Sequence, residues 1–144
     1  MKCVVQRVLD ASVTVNQKQL SHIAKGYLIY VGFHKDDSLD KIDQTVEKIL
    51  KLRIFEDEFG KMNVAIDKKN ASILLISQFT LYGSTHHSNR PSFTEAMPYE
   101  KAETYYQYML EKLNQHIETR PGDFGSHMSI ASINDGPVTL ILEL

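Results

Sequence analysis

Apolar residues alternate with polar ones from residue 2 to 15 in a Val-rich run, which predicts one long strand; Asn16-Gln17-Lys18 then reads as a turn and Leu20 to Ala24 as a returning strand. After Lys25-Gly26, the run Tyr27 to Phe33 is apolar on both faces, as in a central strand. Leu39, Ile42, Val46, Ile49 and Leu50 recur at helical spacing behind the N-cap candidates Asp36, Asp37 and Ser38, predicting a helix over 39–51. Arg53 to Glu56 reads as a short strand before the turn at Asp57 to Gly60, and Ala71 to Leu81 as a largely apolar strand. A second helix is predicted over 99–115. Pro98 suits its first turn or cap, and Ala102, Tyr106, Met109, Leu110 and Leu113 form the buried stripe. Strands at 126–133 and 138–142 close the chain around Asn134-Asp135-Gly136-Pro137. The order βββαββαββ predicts an α/β fold of mixed and antiparallel sheet layers with two helices packed on one side, a β/β/α arrangement.

The chain has 144 residues, enough for one domain over 1–144 and too few for a second core. The seven Gly and four Pro fall singly, so no linker divides it. With 16 Lys+Arg against 18 Asp+Glu, the chain is not a generally basic nucleic-acid coat. Residues 1 to 34 carry four basic groups against one acidic, so a polyanion is expected to meet the N-terminal third. Cys3 has no partner for a disulfide and sits in an apolar run, which fits a reducing cytosol. No apolar run approaches the ~18 residues of a membrane span, and Arg7 interrupts any signal-peptide core; a cytoplasmic location without a membrane partner is expected.

Three stretches break the strand rules. Ser77-Gln78-Phe79-Thr80 puts three polar side chains at the end of a buried strand, where they must be hydrogen-bonded or open into a pocket. Asn134-Asp135-Gly136-Pro137-Val138-Thr139 reads as a hairpin turn on its own. A Gly-Pro bond also adopts cis at small cost, and a cis bond turns two successive carbonyl oxygens to one side, an acceptor pair suited to an ammonium group. Tyr82 to Phe93 is a polar loop containing His86 and His87. Adjacent residues on extended backbone point apart, so these two make a poor metal pair unless His22, His34 or His127 approaches, and no metal or cofactor is expected. Phe124 suits base stacking and core packing equally, while Tyr105, Tyr106 and Tyr108 read as a packed helix face.

Ser77-Gln78-Phe79-Thr80 together with Asn134 to Thr139 closely resembles the two signatures of the D-aminoacyl-tRNA deacylases, also called D-tyrosyl-tRNA deacylases. Gln6-Arg7-Val8, Ala11 to Val15, Arg53 to Asp57, Gly60-Lys61-Met62-Asn63 and Arg90-Pro91-Ser92-Phe93 are similar to the family in order and spacing, so the resemblance spans the chain. It implies a cytoplasmic homodimer in translation quality control that hydrolyses the ester joining a D-amino acid, or mischarged glycine, to the acceptor end of tRNA. It also implies two active sites at the dimer interface, with the cis Gly-Pro pair of one subunit reaching into the other. By that match Ser77, Gln78, Phe79 and Thr80 line the catalytic pocket, Gly136 and Pro137 filter chirality and Arg7 fixes their loop. Phe124 and Met128 are candidates for the terminal adenosine pocket. The implied partners are aminoacyl-tRNA and a second copy of the chain, not DNA.

An aminoacyl ester is already activated, so a placed water and a backbone N–H around Phe79 or Thr80 suffice, and the resemblance implies that the ribose 2′-hydroxyl helps activate the water. Thr80 as a covalent nucleophile is the rival mechanism. A metal hydrolase using the histidines is a third reading, and a non-catalytic tRNA-end or protein-binding module on the same fold is the alternative function. The loop departs from the family: Ser84 to Asn89 holds no Lys or Arg where a basic stretch is common, leaving only Arg90. Each missing phosphate contact flattens a log–log salt plot by about 0.9, so recognition confined to the acceptor end is expected to give a shallow salt dependence of tRNA binding. A filter-binding titration against salt checks this, and a steep slope would contradict it.

Overall fold

The Val-rich opening run is a strand, β1 (Lys2–Val15), long enough to organise the rest of the sheet. One edge of β1 pairs antiparallel with β2 (Lys18–Ile23) and β3 (Gly26–Gly32), which succeed one another as a single kinked partner. The other edge pairs antiparallel with β8 (Ser129–Glu143) from Lys2 to Thr14. Two parallel additions, β6 (Ser72–Ser77) on β3 and β7 (Thr119–Pro121) on β6, extend the sheet. Parallel pairing requires crossovers. The first contains α1 (Leu39–Lys51) and the small hairpin β4 (Phe55–Glu56) and β5 (Met62–Val64); the second contains α2 (Tyr99–Asn114). Ser21 Oγ of β2 donates to the Pro121 carbonyl of β7 at 2.6 Å, so the sheet curls back on itself into a nearly closed, barrel-like form. A computed structural model underlies this description; it covers residues 1–86 and 88–144, with Lys68 described by its backbone.

Strand alternation divides the interior in two. Cys3, Val5, Tyr27, Ile29, Val31, Ile73 and Leu75 meet Ile42, Val46 and Ile49 of α1 and Tyr106, Met109 and Leu113 of α2. Val8, Ala11, Val13, Ile23, Leu28, Leu74 and Ile76 fill the inside of the curl. Both helices therefore pack on one side, as the element order predicts. β1 changes faces near Arg7–Val8, where its register against β8 slips on either side of Val8; a one-residue slip exchanges faces. Burial pushes the Cys3 thiol up to about 12, so Cys3 serves as a small core hydrophobe.

Several expectations need correction. The last two predicted strands are one, β8, and Asn134 to Pro137 is a bulge within it rather than a hairpin turn. The strand predicted over 71–81 stops at Ser77, and Phe79–Tyr82 is a 3₁₀ turn. Gln17 ends the first turn, since Lys18 already pairs with Val15. Only Phe55 and Glu56 of the Arg53 to Glu56 run pair as strand. β5 and β7, three residues each, carry too little pattern to be read in advance.

The loop from β3 to α1 is fixed by a buried carboxylate. Asp37 accepts the His34 N–H at 2.7 Å, the Met1 amino group at 2.9 Å and Lys41 Nζ at 3.1 Å. Burial alone would raise the Asp37 carboxyl, but these hydrogen bonds outweigh it and hold the group below its ordinary value. A depressed carboxyl contributes stability above the ordinary carboxylate range, and that contribution is lost as pH falls through the folded value. Asp37→Ala is expected to cost about 3–5 kcal/mol near pH 7, because it strands buried charge and donors. Urea denaturation of both proteins should show the gap narrowing in acid.

Candidate functional site

The end of β6 opens onto the surface because the chain there leaves the sheet. Gln78 N–H still donates to the Val31 carbonyl at 2.7 Å, and the 3₁₀ turn then closes through Leu81 N–H to Gln78 O (3.3 Å) and Gly83 N–H to Thr80 O (2.9 Å). Gly32 makes room for it: a Cβ there would stand 2.9 Å from the Gln78 carbonyl and 3.2 Å from Leu81 Cβ. The polar quartet thus reaches solvent, with Ser77 and Gln78 half-buried and Thr80 exposed. Phe79 is 55% exposed, unusual for a ring that size. Gln78 Nε2 donates to Thr80 Oγ1.

Facing the quartet is the segment that leads from β7 into β8. Ser77, Gln78 and Phe79 form one wall and Gly125, Ser126, His127 and Met128 the other wall of a cleft of about 250 Å³. A larger, apolar cleft of about 500 Å³ adjoins it, sharing Phe79 and Gly125. Its aromatic walls are the pair Phe79 and Phe93, with centroids 5.0 Å apart, and the pair Tyr99 and Phe124 at 5.1 Å. Phe124 also lies 5.6 Å from Tyr106, so it packs on the core with one face and lines the cleft with another. Met128 and Phe124 therefore stand in adjoining clefts rather than in one pocket. Sequence reasoning did not single out Tyr99, Ser126 or His127 as cleft residues. Tyr99 meets Phe124 across a separation in the chain that no local pattern encodes.

Among the described residues, no group of three or more His, Cys, Asp or Glu side chains is placed to hold a metal. Among the described residues, His127 is the one imidazole that lines the smaller cleft. Of the pair His86 and His87, His87 lies outside the described residues.

The second motif is built around a buried arginine. Between Gln6↔Thr139 and Val8↔Asn134, β8 holds more residues than β1 can pair, and the surplus Asp135 to Val138 loops out. Asn134 Nδ2 ties the loop to the Arg7 and Val138 carbonyls, each at 3.1 Å. Arg7 is 4% exposed; its Nη1 donates to the Ile54 carbonyl at 2.6 Å and its Nε lies 3.0 Å from Asp135 Oδ2. The Nε–Asp135 approach is an ion pair without hydrogen-bond alignment. Gly136 has φ +122°, and the Gly136-Pro137 bond is cis. A Cβ on Gly136 would stand 2.9 Å from Val138 Cγ2 and 3.2 Å from Arg7 Nη2.

These two motifs do not meet within one chain. Ser77 is level with Val31, Cys3 and Leu142 across the sheet, whereas the bulge lies beside Gln6 to Val8. Three strand spacings across and about four residues along put Gly136 on the order of 20 Å from Ser77 along the sheet. Arg7, Gly136 and Pro137 thus form one constellation, and Ser77 to Thr80 with Phe124 and Met128 another.

A family model described as D-Tyr-tRNA(Tyr) deacylase matches residues 4–143. A D-aminoacyl-tRNA deacylase of Kosmotoga olearia is 43% identical over 143 residues, covering 99% of this chain and 97% of its own length. One from Chloroherpeton thalassium is 45% identical, with coverage of 99% and 95%. Among solved structures, one described as a c-Myc DNA Unwinding Element Binding Protein superposes with a TM-score of 0.95 at 42% identity, covering 100% of this chain and 99% of that one. A probable eukaryotic D-amino acid tRNA deacylase, 14% identical with TM-score 0.88 and coverage of 99% and 98%, shares the fold.

The left-handed φ and crowded Cβ site at Gly136 set a direct test. Gly136→Ala is expected to destabilise the protein by about 1–3 kcal/mol, read as a shift in the denaturation midpoint. An unshifted midpoint would mean that the loop accommodates a side chain freely.

Proposed function

The chain belongs to the D-Tyr-tRNA(Tyr) deacylase family, and from that premise we propose that it hydrolyses the ester of D-aminoacyl-tRNA, and of mischarged glycyl-tRNA, to free amino acid and intact tRNA. The observation that carries the reading is the cleft in which Ser77, Gln78 and Phe79 face Gly125 to Met128, with an aromatic slot beside it. The aromatic slot suits a stacked base, a contact worth about 1–3 kcal/mol, so the terminal adenosine enters against Phe124 with Met128 nearby. A 3₁₀ turn leaves its first N–H groups without partners inside the turn, and those of Phe79 and Thr80 face the developing oxyanion. One such donor is typically worth about 10²–10³ in kcat. Water attacks the acyl carbon with help from the ribose 2′-hydroxyl, and the 3′-oxygen leaves with the proton.

Thr80 is not the nucleophile in this account. Its hydroxyl accepts from the Gln78 amide, whereas a nucleophilic threonine needs an adjacent base.

Chirality is set by the main chain of Gly136 and Pro137, whose carbonyls accept the α-ammonium of a D-aminoacyl group and leave no volume for an L side chain. Arg7 holds that loop. Since one chain keeps the loop and the cleft apart, the loop serves the cleft of a second copy in a cytoplasmic homodimer. Two features support this: among the described residues β8 pairs only with β1, leaving its other edge open, and Ile133 and Ile141 along it are 58% and 68% exposed. A glycyl substrate, lacking a side chain, passes the same gate.

Release assays with D- and L-tyrosyl-tRNA test the function: D-tyrosine should be released and L-tyrosine spared, and equal cleavage of both would contradict the gate. Binding without release from either would point to a tRNA-end binding module. Thr80→Val should slow release modestly and Thr80→Ser should leave it nearly unchanged, and trapping of an acyl group on Thr80 would overturn the water mechanism.

A further inference from the structure

Three tyrosines of α2, Tyr105, Tyr106 and Tyr108, donate their hydroxyls in different directions. Tyr105 reaches the Asp37 carbonyl at 3.2 Å, and Tyr108 reaches the Asp43 carboxylate of α1 at 3.1 Å. Tyr106 instead lies beneath the cleft, 1% exposed. Its hydroxyl donates to the Leu75 carbonyl at 2.8 Å and accepts the Gly122 N–H at 3.1 Å; the same N–H lies 2.8 Å from Leu75 O. The three groups form a closed clasp.

The clasp sits where the sheet parts. β6 and β7 pair from Ile73 to Leu75 against Thr119 to Pro121, and the Gly122 N–H makes the last tie before the two segments diverge. Two residues beyond Leu75 is Ser77, on one wall of the smaller cleft; two beyond Gly122 is Phe124, which lines the adjoining apolar cleft, lies on the Tyr106 ring and immediately precedes Gly125, where the other wall of the smaller cleft begins. The spacing of the walls therefore depends on how firmly the strands are joined at this point. Burial pushes the Tyr106 phenol above its ordinary value, so the hydroxyl stays protonated and able to donate.

We propose that the Tyr106 hydroxyl sets the width of the cleft and so positions the 3′-terminal nucleoside of the substrate. Tyr106 acts through Leu75 and Gly122 and touches no reacting atom; it is a positioning residue. The proposal rests on the reading of this cleft as the active site. A looser slot weakens the ground state and the transition state alike, so the effect falls on KM more than on kcat.

Tyr106→Phe keeps the ring against Phe124 and removes the hydroxyl's bonds to Leu75 and Gly122, leaving the Gly122 N–H to Leu75 O bond as the sole tie of the clasp. With D-tyrosyl-tRNA, KM should rise about tenfold while kcat stays within about twofold. Tyr108→Phe, which also gives up a hydroxyl bond on α2 but faces α1, should change neither. An unchanged KM in folded Tyr106→Phe, with active wild type, overturns the positioning role and leaves the deacylase reading intact. A wild type that fails to hydrolyse D-tyrosyl-tRNA overturns that reading, and this proposal with it. A second measurement needs no variant: saturating the wild type with an amide-linked, non-hydrolysable D-tyrosyl-adenosine should slow amide exchange at Gly122 about tenfold as the clasp tightens. Unchanged exchange contradicts the proposal.

Discussion

β1 pairs with β8 along nearly its whole length, yet β8 carries more residues than the ladder can take opposite Gln6 to Val8. Because pairing is fixed on both sides of the mismatch, the surplus Asp135 to Val138 must project from the sheet. What it projects around is the buried guanidinium of Arg7, with Ile54 O and Asp135 as its neighbours. A loop pinned at both ends by a sheet ladder, with the Asn134 side chain bonded across its base, has little freedom to adapt its shape. Such a surface can discriminate between mirror images, whose groups are the same and differ only in placement.

The cleft arises from the opposite circumstance, a ladder that stops. β6 and β7 pair briefly and then part, and the chain turns out at Gln78 on one side and past Gly122 on the other. The groups that line the opening include hydroxyls, an amide, main-chain N–H groups, a thioether, aromatic rings and the imidazole of His127, with no carboxylate or Lys/Arg among the described residues there. They suit a reaction whose substrate is already activated, in which placement of water and of the developing charge matters more than a strong base.

Much of this was legible in the chain itself. The first strand and the first helix follow from long, unambiguous periods, with Val-rich alternation over 2–15 and Leu39 to Leu50 at helical spacing. The polar quartet at 77–80 announced itself by violating its strand. What sequence could not give is non-local. β8 reads as two strands because Gly136-Pro137 looks like a turn; only the partner β1, continuous past it, shows a bulge. The meeting of Tyr99 with Phe124, the clasp at Tyr106 and the separation of Arg7 from Ser77 depend on how the sheet curls, which no pattern in the chain specifies.

The central claim is that a rigid main-chain loop from one subunit completes the cleft of another. Mixed dimers test it most directly, with one subunit carrying Gly136→Ala and an intact cleft and the other an intact loop and Phe79→Ala. If the loop acts across the two-fold, each mixed dimer contains one whole site, and D-tyrosyl-tRNA hydrolysis should recover to about half that of the wild-type dimer although both parent homodimers are impaired. Mixed dimers no more active than the average of their parents would contradict the account.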